Sequence, residues 1–429
     1  MAVARTAWAG QIALAAWLGC GGVAAALAED SATPNATEQF ARLRAAVHDA
    51  RSHGDGAAYL RNALELLRLL NGSPTSTVDV MAAEVAAGHP DRALLRLKTL
   101  VSMGQSYPEL LSTPLFAPMR ALPEYAALAT AMASNTQPIS AAERVFELQP
   151  AEWVPEDIDY DVAGRRFLIT SVLKAQVFAV QQDGTASLFA TSPEHWPMMA
   201  LKVDALRRRV WVTEVLIGKS QSAVLLYDLK SGRLLRRIAG PPQTDLGDMC
   251  LARNGDAIIS DGGHGGLYRV DAETLKIERL DRGDLISPQT PAMAAGGTTI
   301  WIPDYTRGIG LFDVRLRTVS WLPTSNTHAL GGVDGLYLYG QSLIVTQNGT
   351  SPERVAQFTL NEAASAITAE NIIERATPTL GDPTHGVVVG EYFYYLANSG
   401  WDALDEGAHR KPDQTITPAL LMRVKLTRD

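Results

Sequence analysis

Cysteine is nearly absent: the 429 residues hold only Cys20 and Cys250. Two thiols so far apart in context cannot form a disulfide framework, so the fold must rest on packing. Basic charge is also in short supply. Lys and Arg total 38 against 46 Asp and Glu, a formal net charge of −8. That balance disfavours nucleic acid or an anionic membrane surface as a partner, since both need clustered cations. There is no phosphate-cradling glycine loop, no zinc-type Cys/His spacing and no Ser nucleophile elbow. Gly262-Gly-His-Gly-Gly266 reads only as a flexible connection between two strands.

Long apolar runs are limited to one. Arg5 precedes an apolar stretch from Ala7 to Ala26, and Ala26-Leu27-Ala28 is a small-x-small cleavage sequence followed by Glu29-Asp30. We read residues 1–28 as a secretory signal peptide, with an uncleaved anchor helix as the alternative, since the run is barely long enough to span a bilayer. The mature chain is then expected to be exported, periplasmic or extracellular, with no membrane span. Its only cysteine, Cys250, lies in the apolar context Met249-Cys-Leu-Ala and is expected to be a buried small hydrophobe.

Residues 29–137 carry the helical period. Phe40, Leu43 and Val47 share one face, and Leu60, Leu64 and Leu67 are expected to share another. Val78, Met81 and Val85 lead to a break at Gly88-His-Pro90, after which Leu94, Leu97 and Val101 resume the stripe. Gly54 and Gly88, 34 residues apart, each close a helix. This spacing resembles the tetratricopeptide repeat, a helix–turn–helix unit whose stacked faces bind peptides, so a protein or peptide partner is the corresponding expectation. A short capping module without a groove is the alternative. Residues 134–140 read as a linker.

From Ala141 to Asp429 the period switches to two, and six units follow. The fifth shows the layout best: Asp334, then strands Leu336–Tyr339 and Ser342–Val345 around a turn at Gly340-Gln341, then Asn348, then a third strand opened by Arg354. Comparable units begin near Pro155, Met199, Gly247, Thr290 and His385. Units of this length suit four short strands each, giving a mainly β fold: a six-bladed propeller behind a small helical domain. Arg144–Leu148 is expected to complete the sixth blade and close the ring.

Pro155-Glu-Asp-Ile-Asp-Tyr-Asp, Asp248-Met-Cys-Leu-Ala, and Val333-Asp-Gly-Leu with Gln347-Asn-Gly-Thr resemble the senescence-marker protein/gluconolactonase family of six-bladed propellers. Lactonases of that family hold a divalent cation at one mouth of the central channel with a Glu, two Asn-type ligands and an Asp. The resemblance implies that Glu156 and Asp334 fill the acidic positions and that Asp248 stands where an amide is usual. Pro288-Gln-Thr-Pro291 departs from the family's Pro-Asn-Gly and removes one ligand.

Hairpin direction sorts the polar groups independently. Residues just before each first strand and just after each second strand must lie on one face of the ring. The first set holds Glu156, Asp157, Asp248, Asp334 and His385. The second holds Ser171, Glu214, Asp261, Asp304, Asn348 and Asn398. Carboxylates with an imidazole suit Ca²⁺, Mg²⁺ or Zn²⁺, or a general base with a raised pKa. We expect Glu156, Asp248 and Asp334 to ligate the cation and Asp334 or His385 to move the proton. Asn348, Asn398, Trp196 and Trp401 are expected to contact a small-molecule substrate beneath the loops Leu216–Ser222, His195–Pro197 and Asp402–Thr415. For Asp261 and Asp304 a turn or capping role is equally open, because Asp favours turns. The expected activity is metal-assisted hydrolysis of a small lactone or ester. The alternative is a non-catalytic propeller that binds a ligand or protein.

Overall fold

The computed structural model describes residues 35–324 and 327–427, so the segment 1–28 read above as a signal peptide lies outside the described residues. Four helices form two antiparallel pairs: α1 (Ala36–Ser52) with α2 (Gly56–Leu69), and α3 (Pro74–Ala86) with α4 (Pro90–Ser102). Their ends follow from local chemistry. Asn35 and Glu38 form a reciprocal capping box, Asp55 caps α2, and proline opens α3 and α4, where its missing N–H leaves no helical bond unmade. Gly54 (φ +70°) and Gly88 (φ +81°) take the left-handed turn that ends a helix. Three shorter helices follow, α5 (Pro108–Ser112), α6 (Ala117–Arg120) and α7 (Tyr125–Ser134).

One expected helical face is displaced. α2 buries Tyr59, Ala63 and Leu66, whereas Leu60, Leu64 and Leu67 are only partly covered. The buried row runs through small Ala63, which a stripe drawn through leucines alone overlooks.

The β half is a six-bladed propeller of four-stranded antiparallel blades. Blade I is β3 (Pro155–Asp161) to β6 (Ala186–Thr191), and blade II is β7 (Met198–Asp204) to β10 (Leu234–Ala239). Blade III runs from β11 (Leu246–Leu251) to β14 (Ile277–Arg279), and blade IV from β15 (Ala292–Met293) to β18 (Thr318–Trp321). Blade V spans β19 (Gly335–Tyr339) to β22 (Ile367–Arg375). Blade VI takes β23 (Gly386–Val389), β24 (Tyr392–Leu396) and β25 (Leu420–Lys425), and is completed by β2 (Glu143–Glu147). β2 pairs with β25, so the start of the β half closes the ring, as expected.

The linker reading changes in one respect. β1 (Ile139–Ser140) adds a fifth strand to the outer edge of blade V, and the chain then crosses directly to the edge of blade VI. Two neighbouring blades are thereby stitched together by the segment entering the ring.

Period two explains how such short strands hold. On β8 (Arg209–Leu216), Val210 and Val212 pack towards blade I while Trp211 packs towards blade III. On β20 (Ser342–Gln347), Leu343 and Val345 face blade IV while Ile344 faces blade VI. Each second strand therefore buries both faces, and each such side chain contributes roughly 1.5–3 kcal/mol. Blade IV has the shortest first strand because Pro288 and Pro291 remove ladder donors there.

The helical domain sits on one face of the ring. Thr37 Oγ1 donates to the Leu285 carbonyl (3.1 Å), Asn71 Nδ2 to that of Leu322 (3.1 Å), and the Ser106 N–H to that of Ser351 (2.6 Å). These acceptors lie on connections that enter first strands or leave second strands, so the helices cover the face on which the candidate site lies. They stand over blades III to V.

Candidate metal and acid–base site

The side chains at the channel mouth are aimed by irregular backbone. Strand register shifts between Pro155 and Ile158, between Met198 and Leu201, and between Leu246 and Met249. Such bulges re-aim side chains. Hydroxyls on second strands hold these segments and their equivalents. Thr170 Oγ1 accepts the Asp157 N–H (2.9 Å) and donates to the Met199 carbonyl of the next blade (2.6 Å). Thr213 does the same with the Ala200 N–H (2.9 Å) and the Gly247 carbonyl, and Thr346 with the Gly335 N–H (2.8 Å) and the Thr384 carbonyl. Glu156, Asp248, Asp334 and His385 all occupy the segments fixed in this way.

These four converge and are buried. Relative exposure is 7% for Glu156, 5% for Asp248, 8% for Asp334 and 1% for His385. Ligand atoms of Glu156, Asp248 and His385 lie within 4.8 Å of one another. His385 Nδ1 is 2.8 Å from the Glu156 carbonyl oxygen, which can only accept, so Nδ1 carries a proton and Nε2 faces the carboxylates. Nε2 lies 3.4 Å from Asp248 Oδ2, within ion-pair distance, and makes no hydrogen bond to any protein group.

The remaining contacts fix the acids without neutralising them. The Trp401 indole N–H donates to Glu156 Oε2, Thr290 Oγ1 donates to Asp248 Oδ2 (3.3 Å), and Asn348 Nδ2 donates to Asp334 Oδ2 (3.0 Å). Burial raises Glu156 well above the ordinary carboxylate range, with Asp334 and Asp248 adding to the rise against the opposing pull of His385. Burial likewise pushes Asp334 up to about 7; His385 and Asn348 oppose this, while Asp248 and Asp382 add to it. For His385 burial alone would lower the pKa, but Asp248, Asp334 and Asp157 hold it well above its usual value. The imidazolium thus stands in for a cation among like-charged acids. The donor set fits a divalent cation: two carboxylates and an unpartnered imidazole nitrogen whose other nitrogen is anchored.

Of the expected ligands, Glu156 and Asp248 are drawn together, and His385 joins them in the place foreseen for Asp334. Asp334 stands beside the group, held by Asn348. Trp401 reaches the site through its indole. Asn398 and Trp196 are directed elsewhere. The Asn398 amide donates to Thr417 Oγ1 (2.7 Å), and the Trp196 ring lies under the Arg237 guanidinium at 4.9 Å. Both are held by polar neighbours within their own blades. Asp157 is not a free ligand either, since it accepts from the Leu201 N–H (2.8 Å) and Lys202 Nζ (2.5 Å).

Two further expectations change. Leu216–Ser222 is the tip of a hairpin between β8 and β9 (Gln221–Asp228), with only the turn 217–220 outside the strands. Its Ile217 packs with Val154, Val172, Ala403, Leu404 and Ile416, forming an apolar roof over blades I, II and VI. Within Pro288–Pro291, where no ligand was expected, Gln289 turns back to Ser287 and the neighbouring Thr290 contacts Asp248. Cys250 is half-buried and lines a channel cavity of about 230 Å³ with Asp159, Lys202, Thr290 and Tyr337. Burial pushes its thiol up to about 12, so it is not a reactive thiolate.

Sequence reasoning missed Asp382 and Glu353. The Asp382 N–H donates to Glu353 Oε2 (2.6 Å), and Ser399 Oγ donates to Asp382 Oδ2 (3.0 Å). Burial lifts Asp382 to about 6 and Glu353 to about 8, with Asp402 adding to the first and Asp382 to the second. Asp382 stands three residues before His385, and Glu353 directly precedes Arg354, so both adjoined residues already singled out.

No family model and no curated protein sequence matches the chain. Solved structures do. A gluconolactonase from Xanthomonas campestris has a TM-score of 0.46 at 16% identity, over 69% of this chain and 93% of that one. The PQQ-bound aldose sugar dehydrogenase of Streptomyces coelicolor has 0.47 at 12%, over 67% and 99%. Virginiamycin B lyase from Staphylococcus aureus has 0.43 at 13%, over 66% and 98%. These likenesses concern the propeller fold.

Proposed function

We propose that the protein is a metal-assisted hydrolase of a small lactone or related ester. The observation that carries this reading is the buried, unpartnered His385 Nε2 set against Glu156 and Asp248. Glu156, Asp248 and His385 would hold a divalent cation. Bound there, the cation supplies Lewis-acid polarisation of the ester carbonyl.

Asp334, lifted to about 7, holds and releases a proton near neutrality. Its carboxylate takes one proton from water as the water oxygen bonds to the acyl carbon. The acyl C–O bond then breaks, and Asp334 returns the proton to the departing alkoxide, giving a hydroxy acid. Asn348 keeps one carboxylate oxygen of Asp334 occupied and so presents the other. The Trp401 roof and the helical domain keep bulk water from the acids, which strengthens every charge interaction among them.

The test is metal analysis of purified protein, followed by hydrolysis of a lactone panel with and without chelator. Cation-dependent turnover lost in Glu156→Gln and His385→Ala supports the reading. A protein that retains no divalent cation and turns over no lactone overturns it. The binding alternative draws on the helical domain, where Leu60, Leu64, Leu95, Arg92 and Arg96 border a surface cavity of about 400 Å³ suited to a peptide. Export also belongs to this proposal and is tested by locating the mature N-terminus.

A further inference from the structure

The residues at the ends of the second strands are clamps, and one of them is incomplete. In blade IV the carboxylate of Asp304 is fully used. Its Oδ2 accepts the N–H groups of Ile286 (2.7 Å) and Ser287 (3.1 Å), and its Oδ1 accepts from Thr306 and Arg307. In blade III the equivalent residue is Asp261, which is 0% exposed. Its Oδ1 accepts the N–H groups of Asp245 (3.2 Å) and His264 (2.9 Å), but its Oδ2 is buried without a partner.

A second carboxylate faces it. Asp245, 7% exposed, also has a buried unpartnered oxygen, Oδ1. His264 Nδ1 lies 3.5 Å from Asp245 Oδ2 and 3.4 Å from Asp261 Oδ1, and ligand atoms of all three residues fall within 4.8 Å of one another. Ser220 Oγ lies 3.2 Å from His264 Nε2, fixing the ring. The glycine run makes room: a Cβ on Gly263 would stand 2.5 Å from Asp245 Oδ2. A plain clamp requires neither the second acid nor the imidazole.

We propose that Asp245, Asp261 and His264 form a second divalent-cation site at the rim of blade III, separate from the axial site. Two buried carboxylates stand together, each with one unfilled oxygen, and His264 Nδ1 faces the other oxygen of each. Imidazole with carboxylates favours a borderline transition-metal ion such as Zn²⁺ or Co²⁺ over Ca²⁺. Gly265 in the same turn packs against Thr37 of α1 and the Leu285 carbonyl, so the ion would tighten the loop on which the helical domain rests.

The experiment titrates the full mature chain with Co²⁺, following its visible absorption and the bound stoichiometry. The proteins are wild type, Asp245→Asn, His264→Gln and the axial variant Glu156→Gln. Both rim variants should lose one equivalent or bind it at least tenfold more weakly, while Glu156→Gln retains the rim equivalent. If the axial reading fails, wild type still binds one equivalent that His264→Gln abolishes. Rim variants that titrate like wild type, with unchanged melting curves, overturn the proposal. His264 is partly exposed and Asp245→Asn is isosteric, so both should fold, and far-UV circular dichroism checks this.

Discussion

Two sets of acids share one face of the propeller, and their partners separate them. Glu214 and Asp304, at the ends of second strands, are fully occupied. Glu214 accepts from Ser192 Oγ (2.6 Å) and Arg237 Nε (2.8 Å), and Asp304 from the backbone of the loop that enters its blade. Gln347 performs the same task with an amide, donating to the Ala329 and Gly331 carbonyls (2.9 Å each). The axial acids Glu156, Asp248 and Asp334 face one another instead. A carboxylate ringed by donors is tied into the fold. Glu156 and Asp334 keep a raised proton affinity there, and a carboxylate left facing like charge is suited to hold an ion or move a proton.

Breaking a clamp should have the largest effect on stability. Asp304→Ala leaves several buried N–H groups unmet and should cost about 3–5 kcal/mol in urea unfolding, without altering axial cation stoichiometry in whatever protein remains folded. Asp334→Asn should do the reverse. We expect turnover to fall by about 100-fold, as for a lost general base. The cation-free variant should melt no lower than cation-free wild type, because one of three mutually repelling acids has been neutralised. A marked drop in its melting temperature would place Asp334 among the clamps.

The pH dependence of the cation-free protein sharpens the distinction. Asp334 rises from 3.8 to about 7 on folding, and Glu353 from 4.5 to about 8. The folded state therefore binds these protons more tightly. Their stabilisation is complete below pH about 4 and is lost as the pH rises through about 7 to 8. Added divalent ion should flatten the decline. A stability that rises across this range would contradict the axial picture. The smallest effect concerns the indole. Trp401→Phe keeps the roof's bulk but removes the N–H held by Glu156, and should weaken axial cation affinity about tenfold.

Much of the site was legible because blade geometry is periodic. Once the six units are aligned, Glu156, Asp248, Asp334 and His385 must share a mouth, and they do. The hydroxyls that hold these segments recur in the sequence too: Thr170-Ser171, Thr213-Glu214, Ser260-Asp261 and Thr346-Gln347 repeat a hydroxyl before the clamp. The division of labour was hidden. Nothing in the order of residues shows that His385 turns Nδ1 to the Glu156 carbonyl, or that Trp196 and Asn398 find partners in their own blades.

The sequence by itself determined the alternation that builds the blades, the strand that closes the ring, and the residues brought to one face, because strand direction and period are local properties of the chain. Only the tertiary structure decided which acids are satisfied, where the helical domain sits, and that Ile139–Ser140 joins blade V. Those outcomes depend on hydrogen-bond partners far apart in the chain, 251 residues in the case of Asn71 and Leu322, and on burial that raises proton affinity only once the blades have closed around the axis.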